Sequence, residues 1–276
     1  MADGPRLTRR TRSIAQKQGV RRRRFTVGIG LVAAVLVLLA AGWLFLVPAI
    51  PFFQVDKTTV RGLGKDRSGD VAEVEAAVRQ SVEGMSTLNP DEGNLEEAMS
   101  RFPRVAGVSV VPDFPDEATV EVDLRRDGSV AEASPDDLLI ATDGWVLERF
   151  DEKRSGPLPV LGAGPVSQVP GERLEGEALN QALVAGAAPA ELRQFIELIE
   201  SGDSGVEAQL TDGSVLVFGD ASEVRAKWAA AATVIADPEL TGGISAIDLS
   251  VPGRPGVTLG DGTVIETEVS TGIDAG

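Results

Sequence analysis

Near the N-terminus, residues 25–55 form an unbroken run without a charged side chain. The first part of this run, residues 25–47, is strongly apolar and would measure about 34 Å as an α-helix that rises about 1.5 Å per residue. The hydrocarbon core of a bilayer is about 30 Å thick, so a helix of this length can cross it. The run therefore predicts a single transmembrane helix, and most of the chain must fold outside the bilayer.

The charges beside this run predict its orientation. Residues 21–24 are four consecutive arginines, and residues 1–24 carry nine Arg and Lys against one Asp. Because positive residues stay in the cytoplasm, residues 1–24 are expected to form a cytoplasmic tail and the body to lie on the outer side of a type II membrane protein. A cleaved signal peptide is the alternative, but its apolar segment usually has about 7–15 residues.

Composition excludes several classes of function. The net charge is −16, and because residues 1–24 sum to +8, the remainder sums to −24. Such an acidic body repels phosphate backbones, so nucleic-acid binding is not expected. The sequence has no cysteine and no histidine, which removes disulfides, thiolate nucleophiles, histidine-based triads and Cys/His zinc sites. We expect no metal, no cofactor, no small-molecule substrate and no enzymatic activity.

Residues 54–126 follow a β-α-α-β-β pattern. Residues 54–60 suit a short strand, and valines spaced three and four positions apart within residues 71–82 predict a helix. Asn89 followed by Pro90 is typical of a second helix start, and Pro103 ends that helix. Residues 105–111 and 118–124 are β-branched or strictly alternating, which predicts a hairpin. Two helices are therefore expected to cover one face of a three-stranded sheet.

Residues 127–260 predict a mixed, β-rich domain with helices. Hairpins are expected at residues 138–150, where Asp143 and Gly144 form the turn, and at residues 206–218. Helical spacing of apolar residues recurs twice, and Asp220 with Glu223 resembles a capping box before the second helix. The apolar residues at helical spacing are Leu192, Phe195, Ile196 and Ile199 in the first case, and Val224, Trp228, Ala231 and Ile235 in the second.

The order of these segments resembles the bacterial cell division family FtsQ/DivIB. The transmembrane run, FPRV at residues 102–105 and DFPDEATVEV at 113–122 are similar to its anchor and POTRA domain. LLIATDGWVLERF at 138–150, LPVLG at 158–162, Lys227 and the segment 247–249 resemble its β-domain, although Ser250 stands where arginine is common. The resemblance implies an α+β fold with an N-terminal transmembrane helix (25–47), a POTRA domain (54–126), a mixed β-rich domain with helices (127–260) and a C-terminal tail (261–276).

The resemblance also implies a function. It indicates a non-catalytic scaffold of the divisome at the septum, which binds FtsB and FtsL and through them regulates FtsW and FtsI in septal peptidoglycan synthesis. In the family the partner adds along the last strand, which corresponds here to residues 250–259. The candidate partner-binding residues are Val251, Val257, Thr258 and Leu259. An edge strand binds an extended segment through its open N–H and C=O groups. Alternatively these side chains close the core, because alternate strand residues point opposite ways.

Two other functions match parts of the sequence. A POTRA-type chaperone or translocation component of an outer-membrane assembly machine would carry a long series of alternating membrane strands, which is missing after residue 127. A membrane-anchored cell-wall hydrolase would need a nucleophile or a carboxylate pair. The four lysines beyond the membrane run, Lys57, Lys65, Lys153 and Lys227, lie in no recognisable nucleophile motif. The acidic residues fall mainly on predicted solvent faces and helix starts.

Overall fold

The computed structural model describes residues 35–37, 53–64, 69–237 and 243–266. In these segments we find no helix with the length and apolar character that crossing a membrane requires. The predicted cytoplasmic tail lies outside the described residues. The predicted transmembrane helix does so too, except for residues 35–37, which are helical.

The predicted β-α-α-β-β order of residues 54–126 is confirmed. The elements are β1 (Lys57–Arg61), α1 (Gly69–Val82), α2 (Glu92–Met99), β2 (Val105–Asp113) and β3 (Glu117–Leu124). Val74 and Val78 of α1 and Leu95 and Met99 of α2 are buried, as their helical spacing predicts. Helix α2 begins at Glu92, two residues later than Asn89 and Pro90 suggest. The three strands form a sheet of order β1-β3-β2.

The following residues form a larger, mixed sheet with helices, which agrees with the predicted fold class. Its elements are β4 (Asp127–Ala131), β5 (Leu138–Ala141), β6 (Val146–Arg149), α3 (Glu152–Ser155), β7 (Val160–Leu161), α4 (Gly176–Ala187), α5 (Ala190–Arg193), β8 (Ile196–Gly202), β9 (Gly205–Leu210), β10 (Val215–Gly219), α6 (Val224–Ile235), β11 (Ile244–Asp248), β12 (Gly256–Leu259) and β13 (Val264–Glu266). The strand order is β13-β12-β11-β10-β9-β8-β7-β4-β5-β6. Both predicted hairpins, β5–β6 and β9–β10, are confirmed.

The chain divides into two compact units, each assembled from separated segments. The first contains the described residues as far as Thr59, together with Val82–Asp91 and Val110–Thr119. In it, the turn between β2 and β3 and the loop after α1 are hydrogen-bonded to the segment that precedes β1. The second contains Val60–Ser81, Glu92–Ser109 and the described residues from Val120 onward.

The core of the second unit lies between the ten-stranded sheet and helices α4 and α6. Phe218 and Trp228 are its largest buried aromatic side chains, with ring centroids 4.8 Å apart. The Trp228 Nε1–H donates to the carbonyl oxygen of Val184 at 2.9 Å, which joins α6 to α4 and satisfies the buried indole. The predicted helix from Val224 to Ile235 is therefore confirmed.

The predicted helix through Leu192, Phe195, Ile196 and Ile199 is wrong. The short helix α5 ends at Arg193, and Ile196 begins strand β8. The ladder between β8 and β9 has an irregularity between Ile196 and Leu198, which acts as a bulge. Because a bulge adds one residue to a strand, Ile196 and Ile199 both face the core although they are three positions apart. Their spacing therefore resembles that of a helix.

Helix α4 is an element that sequence analysis missed. It spans Gly176–Ala187 and is rich in Ala and Leu, which are strong helix formers. Ala182, Val184 and Ala185 are buried against the sheet, together with the polar Gln181. Because many of its residues are alanines, the spacing of apolar residues in α4 is only a weak sign of a helix. The spacing of larger apolar residues nearby dominated the prediction.

Candidate functional site

The predicted partner-binding strand, residues 250–259, is shorter in the structure. β12 spans only Gly256–Leu259, and residues 250–255 form the connection from β11. Pro252 and Pro255 lie in this connection, and proline has no N–H to donate to a ladder. A turn closes there through the hydrogen bond from the Arg254 N–H to the Val251 carbonyl oxygen at 3.0 Å.

The four candidate residues have different surroundings. Val257 is fully buried and belongs to the core, which is the alternative that the alternation of strand residues left open. Leu259 is partly buried against the same core, and Thr258 is partly exposed. Val251 is 59% exposed and lies in the connection, apart from β12. As partner contacts all four residues remain predictions.

β12 has neighbours on both sides. It pairs with β11 on one side and with β13 on the other, both antiparallel. In the part of the chain that the structure describes, β13 is therefore the outermost strand at this end of the sheet. The residues of β13 lie in the predicted tail 261–276, so this strand was not expected. The run of β-branched residues Thr263, Val264 and Ile265 after a Gly-Asp-Gly turn is the signal that could have revealed it.

The hydrogen bonds of the β12–β13 hairpin indicate which groups face outward. The Leu259 N–H donates to the Thr263 carbonyl oxygen at 2.8 Å, so Leu259 and Thr263 form a hydrogen-bonded pair. Antiparallel ladders alternate hydrogen-bonded and non-hydrogen-bonded pairs, so the next pair, Thr258 with Val264, is of the second type. We infer that the Val264 N–H and C=O point away from β12. The Val264 side chain is also 67% exposed.

The turn that creates this edge is held by its own backbone and by Asp261. Gly262 has a φ of 86°, which glycine adopts without strain, and its N–H donates to the Leu259 carbonyl oxygen at 2.9 Å. The Asp261 Oδ1 accepts from the Thr263 N–H at 2.9 Å, and this hydrogen bond lowers the pKa of the Asp261 carboxyl. The turn therefore sets the register of β13.

Lys227 occupies a second polar site, at the start of α6. Its side chain is 2% exposed, and its Nζ donates to the carbonyl oxygen of Asp220 at 3.0 Å and to the Asp220 Oδ1 at 2.7 Å. The same Oδ1 accepts from the Ser222 Oγ at 2.6 Å. The bonds from Lys227 and then Ser222 hold the pKa of the Asp220 carboxyl far below its usual range, so it stays ionised.

The predicted capping box of Asp220 and Glu223 is therefore wrong. Glu223 is the N-cap of α6, has a φ of 49° and makes no side-chain capping hydrogen bond. The Asp220 carboxylate neutralises Lys227 instead of binding the free N–H groups of the helix. A buried ammonium group needs such a partner more than a helix end does, because an unpaired buried charge costs several kcal/mol.

A polar crevice lies beside this ion pair, where the parallel strands β10 and β11 end. Its lining includes Asn180, Ser201, Ser204, Asp220, Ser222 and Ser250. Hydroxyl groups dominate the lining, and the Lys227 ammonium is bound to Asp220, so it is not placed as a base for any of these serines. Within the described residues we also find no group of three or more acidic side chains arranged to hold a metal ion.

Arg104 is a polar centre that sequence analysis missed. Its Nη1 lies 2.9 Å from the Asp127 Oδ1 and its Nη2 lies 2.6 Å from the Glu148 Oε1. Burial alone would lower the pKa of Arg104, but the bonds to Glu148 and Asp127 outweigh it and raise that pKa. Arg104 precedes the predicted domain boundary at residue 126, whereas its partners Asp127 and Glu148 follow that boundary.

Arg125 makes a similar set of contacts. Its Nε lies 2.9 Å from the Asp143 Oδ2, and its Nη1 donates to the Pro103 carbonyl oxygen at 2.8 Å and to that of Val105. Its guanidinium group lies 4.5 Å from the centroid of the Trp145 ring, a cation–π contact. Both arginines belong to the second unit, whose segments they bind together.

Comparison with known proteins identifies the family. Residues 130–250 match the model of the C-terminal domain of the cell division protein FtsQ/DivIB. Over 255 residues the chain is 27% identical to the cell division protein FtsQ of Streptomyces collinus, and the alignment covers 87% of this chain and 90% of that protein. The chain belongs to the FtsQ/DivIB family.

Membership in FtsQ/DivIB makes this a cell division protein, and members of the family are divisome components that work with other proteins of that assembly. The match to the family model runs from β4 to the residues after β11, so it includes Lys227, Asp220 and the polar crevice. It ends at residue 250, immediately before Val251 and the β12–β13 hairpin.

Proposed function

We propose that this FtsQ/DivIB protein is a non-catalytic divisome scaffold that binds FtsB and FtsL and, through them, regulates septal peptidoglycan synthesis by FtsW and FtsI. It would act at the septum. Residues 1–24 form its cytoplasmic tail, residues 25–47 its membrane anchor and residues 54–126 its POTRA domain. The β-domain begins at residue 127 and, with β13, reaches at least to residue 266.

The apolar length and the flanking charges support the anchor and its orientation. A run of 23 residues is long enough to cross the bilayer, and four arginines stand at one end of it. The anchor confines the body to a layer next to the membrane. Its membrane-bound partners are confined to the same layer, so their effective concentration is raised and a modest contact is enough for assembly.

The open outer side of β13 supports β-augmentation as the binding mode. An extended segment of FtsB would pair with β13 and not with β12, because β12 is already paired on both sides. The outward N–H and C=O of Val264 would join the ladder. Val251 and Thr258 are the candidate residues with exposed surface for side-chain contacts, whereas Val257 and Leu259 hold the strand on the core.

A pair of substitutions at one position tests this mode. Val264→Pro removes the outward N–H, and Val264→Ala removes the side chain but keeps the N–H. We expect the proline variant of the full chain to bind FtsB about five- to tenfold more weakly in co-purification. One hydrogen bond contributes about 1 kcal/mol, and 1.4 kcal/mol is a factor of ten in affinity. The alanine variant should retain most of its binding.

The proline variant should keep the thermal stability of the parent protein, because the Val264 N–H does not belong to the β12–β13 ladder. Equal recovery of FtsB with the proline variant and the parent protein would contradict pairing at β13. Equal loss with the proline and alanine variants would instead assign the contact to the side chain.

A further inference from the structure

Three segments of the first unit meet at the buried side chain of Thr87, which is 6% exposed. The Thr87 N–H donates to the Phe53 carbonyl oxygen at 2.8 Å. Its hydroxyl group lies 2.8 Å from the Pro115 carbonyl oxygen, to which it donates, and 3.1 Å from that of Phe53. Thr87 therefore ties the segment before β1 to the loop after α1 and to the turn between β2 and β3.

Apolar side chains project from the segments that Thr87 joins. Phe114, next to Pro115, is 61% exposed, and Leu88, next to Thr87, is 43% exposed. The rings of Phe53 and Phe114 are in contact, with centroids 5.3 Å apart. We call Phe53, Leu88 and Phe114 the apolar patch. Large exposed apolar side chains that are held together in this way are typical of a binding surface.

The position of the apolar patch along the chain indicates what covers it. Phe53 follows the last residue of the proposed membrane helix, Val47, by six positions, and residues 48–55 contain no charge. Six residues span at most about 20 Å even when fully extended. Since Thr87 holds the rest of the patch to Phe53, the whole patch must lie close to the headgroup layer. Phenylalanine and leucine side chains bind favourably at the boundary between headgroups and acyl chains.

Charges beside the patch indicate the kind of lipid. Asp113 and Asp116 flank Phe114 and its neighbour Pro115 in the turn, and Glu117 follows in β3. The Lys57 ammonium lies 2.7 Å from the Glu117 carboxylate, so it is already paired. Anionic headgroups would be repelled by the remaining carboxylates, whereas zwitterionic headgroups would not.

We propose that Leu88 and Phe114 insert into the outer lipid interface and hold the first unit against a zwitterionic bilayer surface. This inference rests on the membrane anchor of the proposed function. In this proposal the loop after α1 and the β2–β3 turn contact lipid, and the β12–β13 edge stays available to bind the protein partner.

The absence of cysteine from the chain allows a direct test. Full-length Leu88→Cys is labelled with a fluorophore and reconstituted in phosphatidylcholine vesicles that contain lipids with a quencher near the headgroup. Val169→Cys, at a 55% exposed valine of the second unit, is the matched control. We expect quenching by lipid to be several-fold stronger at position 88 than at 169, and quenching by aqueous iodide to be several-fold weaker.

Two further variations make the test specific. Adding Phe114→Ser to the labelled Leu88→Cys protein should reduce the lipid quenching at position 88 several-fold, because it removes the larger inserted side chain. Replacing half of the phosphatidylcholine with phosphatidylglycerol should also reduce it. Circular dichroism of each variant checks that the fold is retained.

The outcomes separate this inference from the proposed function. If the protein floats with the vesicles but iodide quenches positions 88 and 169 equally, the lipid contact is wrong and the anchor stands. If position 88 is shielded from iodide and also from lipid quenchers, protein covers the patch and the inference is again overturned. If the protein does not float with the vesicles at all, the anchor fails and the inference fails with it.

Discussion

The buried ammonium group of Lys227 depends on one exposed carboxylate. Asp220 is the acidic partner of Lys227, and its side chain is 73% exposed while that of Lys227 is 2% exposed. Removing one member of such a pair leaves a charge without compensation, which costs more than the intact pair contributes. A change at Asp220 therefore lowers stability mainly because it leaves the buried Lys227 without its partner.

We expect Asp220→Asn to lower the melting temperature at neutral pH. The folded protein holds the pKa of Asp220 below its usual value, so the stabilisation is present above about pH 4, the ordinary pKa of aspartate, and is lost as the pH falls toward the folded pKa. The difference in melting temperature between the variant and the parent protein should therefore narrow below about pH 4. This difference is measured by thermal unfolding, with tryptophan fluorescence as the signal.

Asp203→Asn, in the exposed β8–β9 turn, is a control that should shift the melting temperature little at any pH. A deficit for Asp220→Asn that stays constant from pH 7 to pH 3 would contradict the assignment of the stabilisation to the ionised carboxylate.

Val257 and Val251 are both candidate contacts, but the same substitution should affect them differently. Val257→Asp places a charge in the core without a partner, which we expect to cost about 3–5 kcal/mol of unfolding free energy. Val251→Asp lies on the surface and should change that free energy by less than about 0.5 kcal/mol. Urea unfolding of the detergent-solubilised chain compares them. Equal stability of the two variants would show that Val257 does not close the core.

The two variants also differ as probes of binding. Loss of FtsB from Val257→Asp would report unfolding, whereas loss from the folded Val251→Asp would report a contact. Val251 is therefore the more informative of the two positions for partner recovery.

At the scale of elements, β8 shows how a local irregularity changes what a pattern predicts. Residues three positions apart on one face are typical of a helix, and the bulge in β8 produces that spacing in a strand. The predictions succeeded where an element carried its own signal, as in the Asp143–Gly144 turn or the stripe on α6. They failed for β8 because its pairing with β9, which the local sequence does not encode, decided the conformation.

At Gly186, helix α4 lies so close to the backbone of Thr142 that there is no room for a side chain. A Cβ atom built at this position would lie 2.2 Å from the Thr142 carbonyl oxygen. Although alanine is the better helix former, we expect Gly186→Ala to lower the unfolding free energy by about 1–3 kcal/mol, because the backbone of Thr142 must move. Urea unfolding measures this loss.

Gly107→Ala is the control, since no atom lies within 4 Å of a Cβ built there and its φ is not positive. It should change the unfolding free energy by less than about 0.5 kcal/mol. A Gly186→Ala variant as stable as this control would mean that α4 does not pack closely on Thr142.

At the scale of the whole molecule, charge is divided between two ends of one chain. Residues 1–24 sum to +8 and the remainder to −24, with the uncharged run between them. The positive end predicts the topology, because basic residues beside a membrane span stay in the cytoplasm and the chain after the span then lies on the outer side.

We expect protease added to spheroplasts to degrade the chain beyond residue 50 and to spare the arginine-rich end. Epitope tags placed before residue 1 and after residue 276 report the two ends on an immunoblot, and a cytoplasmic protein serves as a control for intact cells. Survival of the C-terminal tag with loss of the N-terminal tag would reverse the proposed orientation.

The amino-acid sequence by itself determined the charge division, the family, the order of most elements and the hairpins at residues 138–150 and 206–218. Each of these depends on composition or on residues close together in the chain. Only the tertiary structure decided that Val257 is buried, that β13 covers β12, that Asp220 neutralises Lys227 and that Arg104 binds Asp127 and Glu148. These outcomes depend on which distant segments lie side by side, and on burial, which sets how strongly a charge needs a partner.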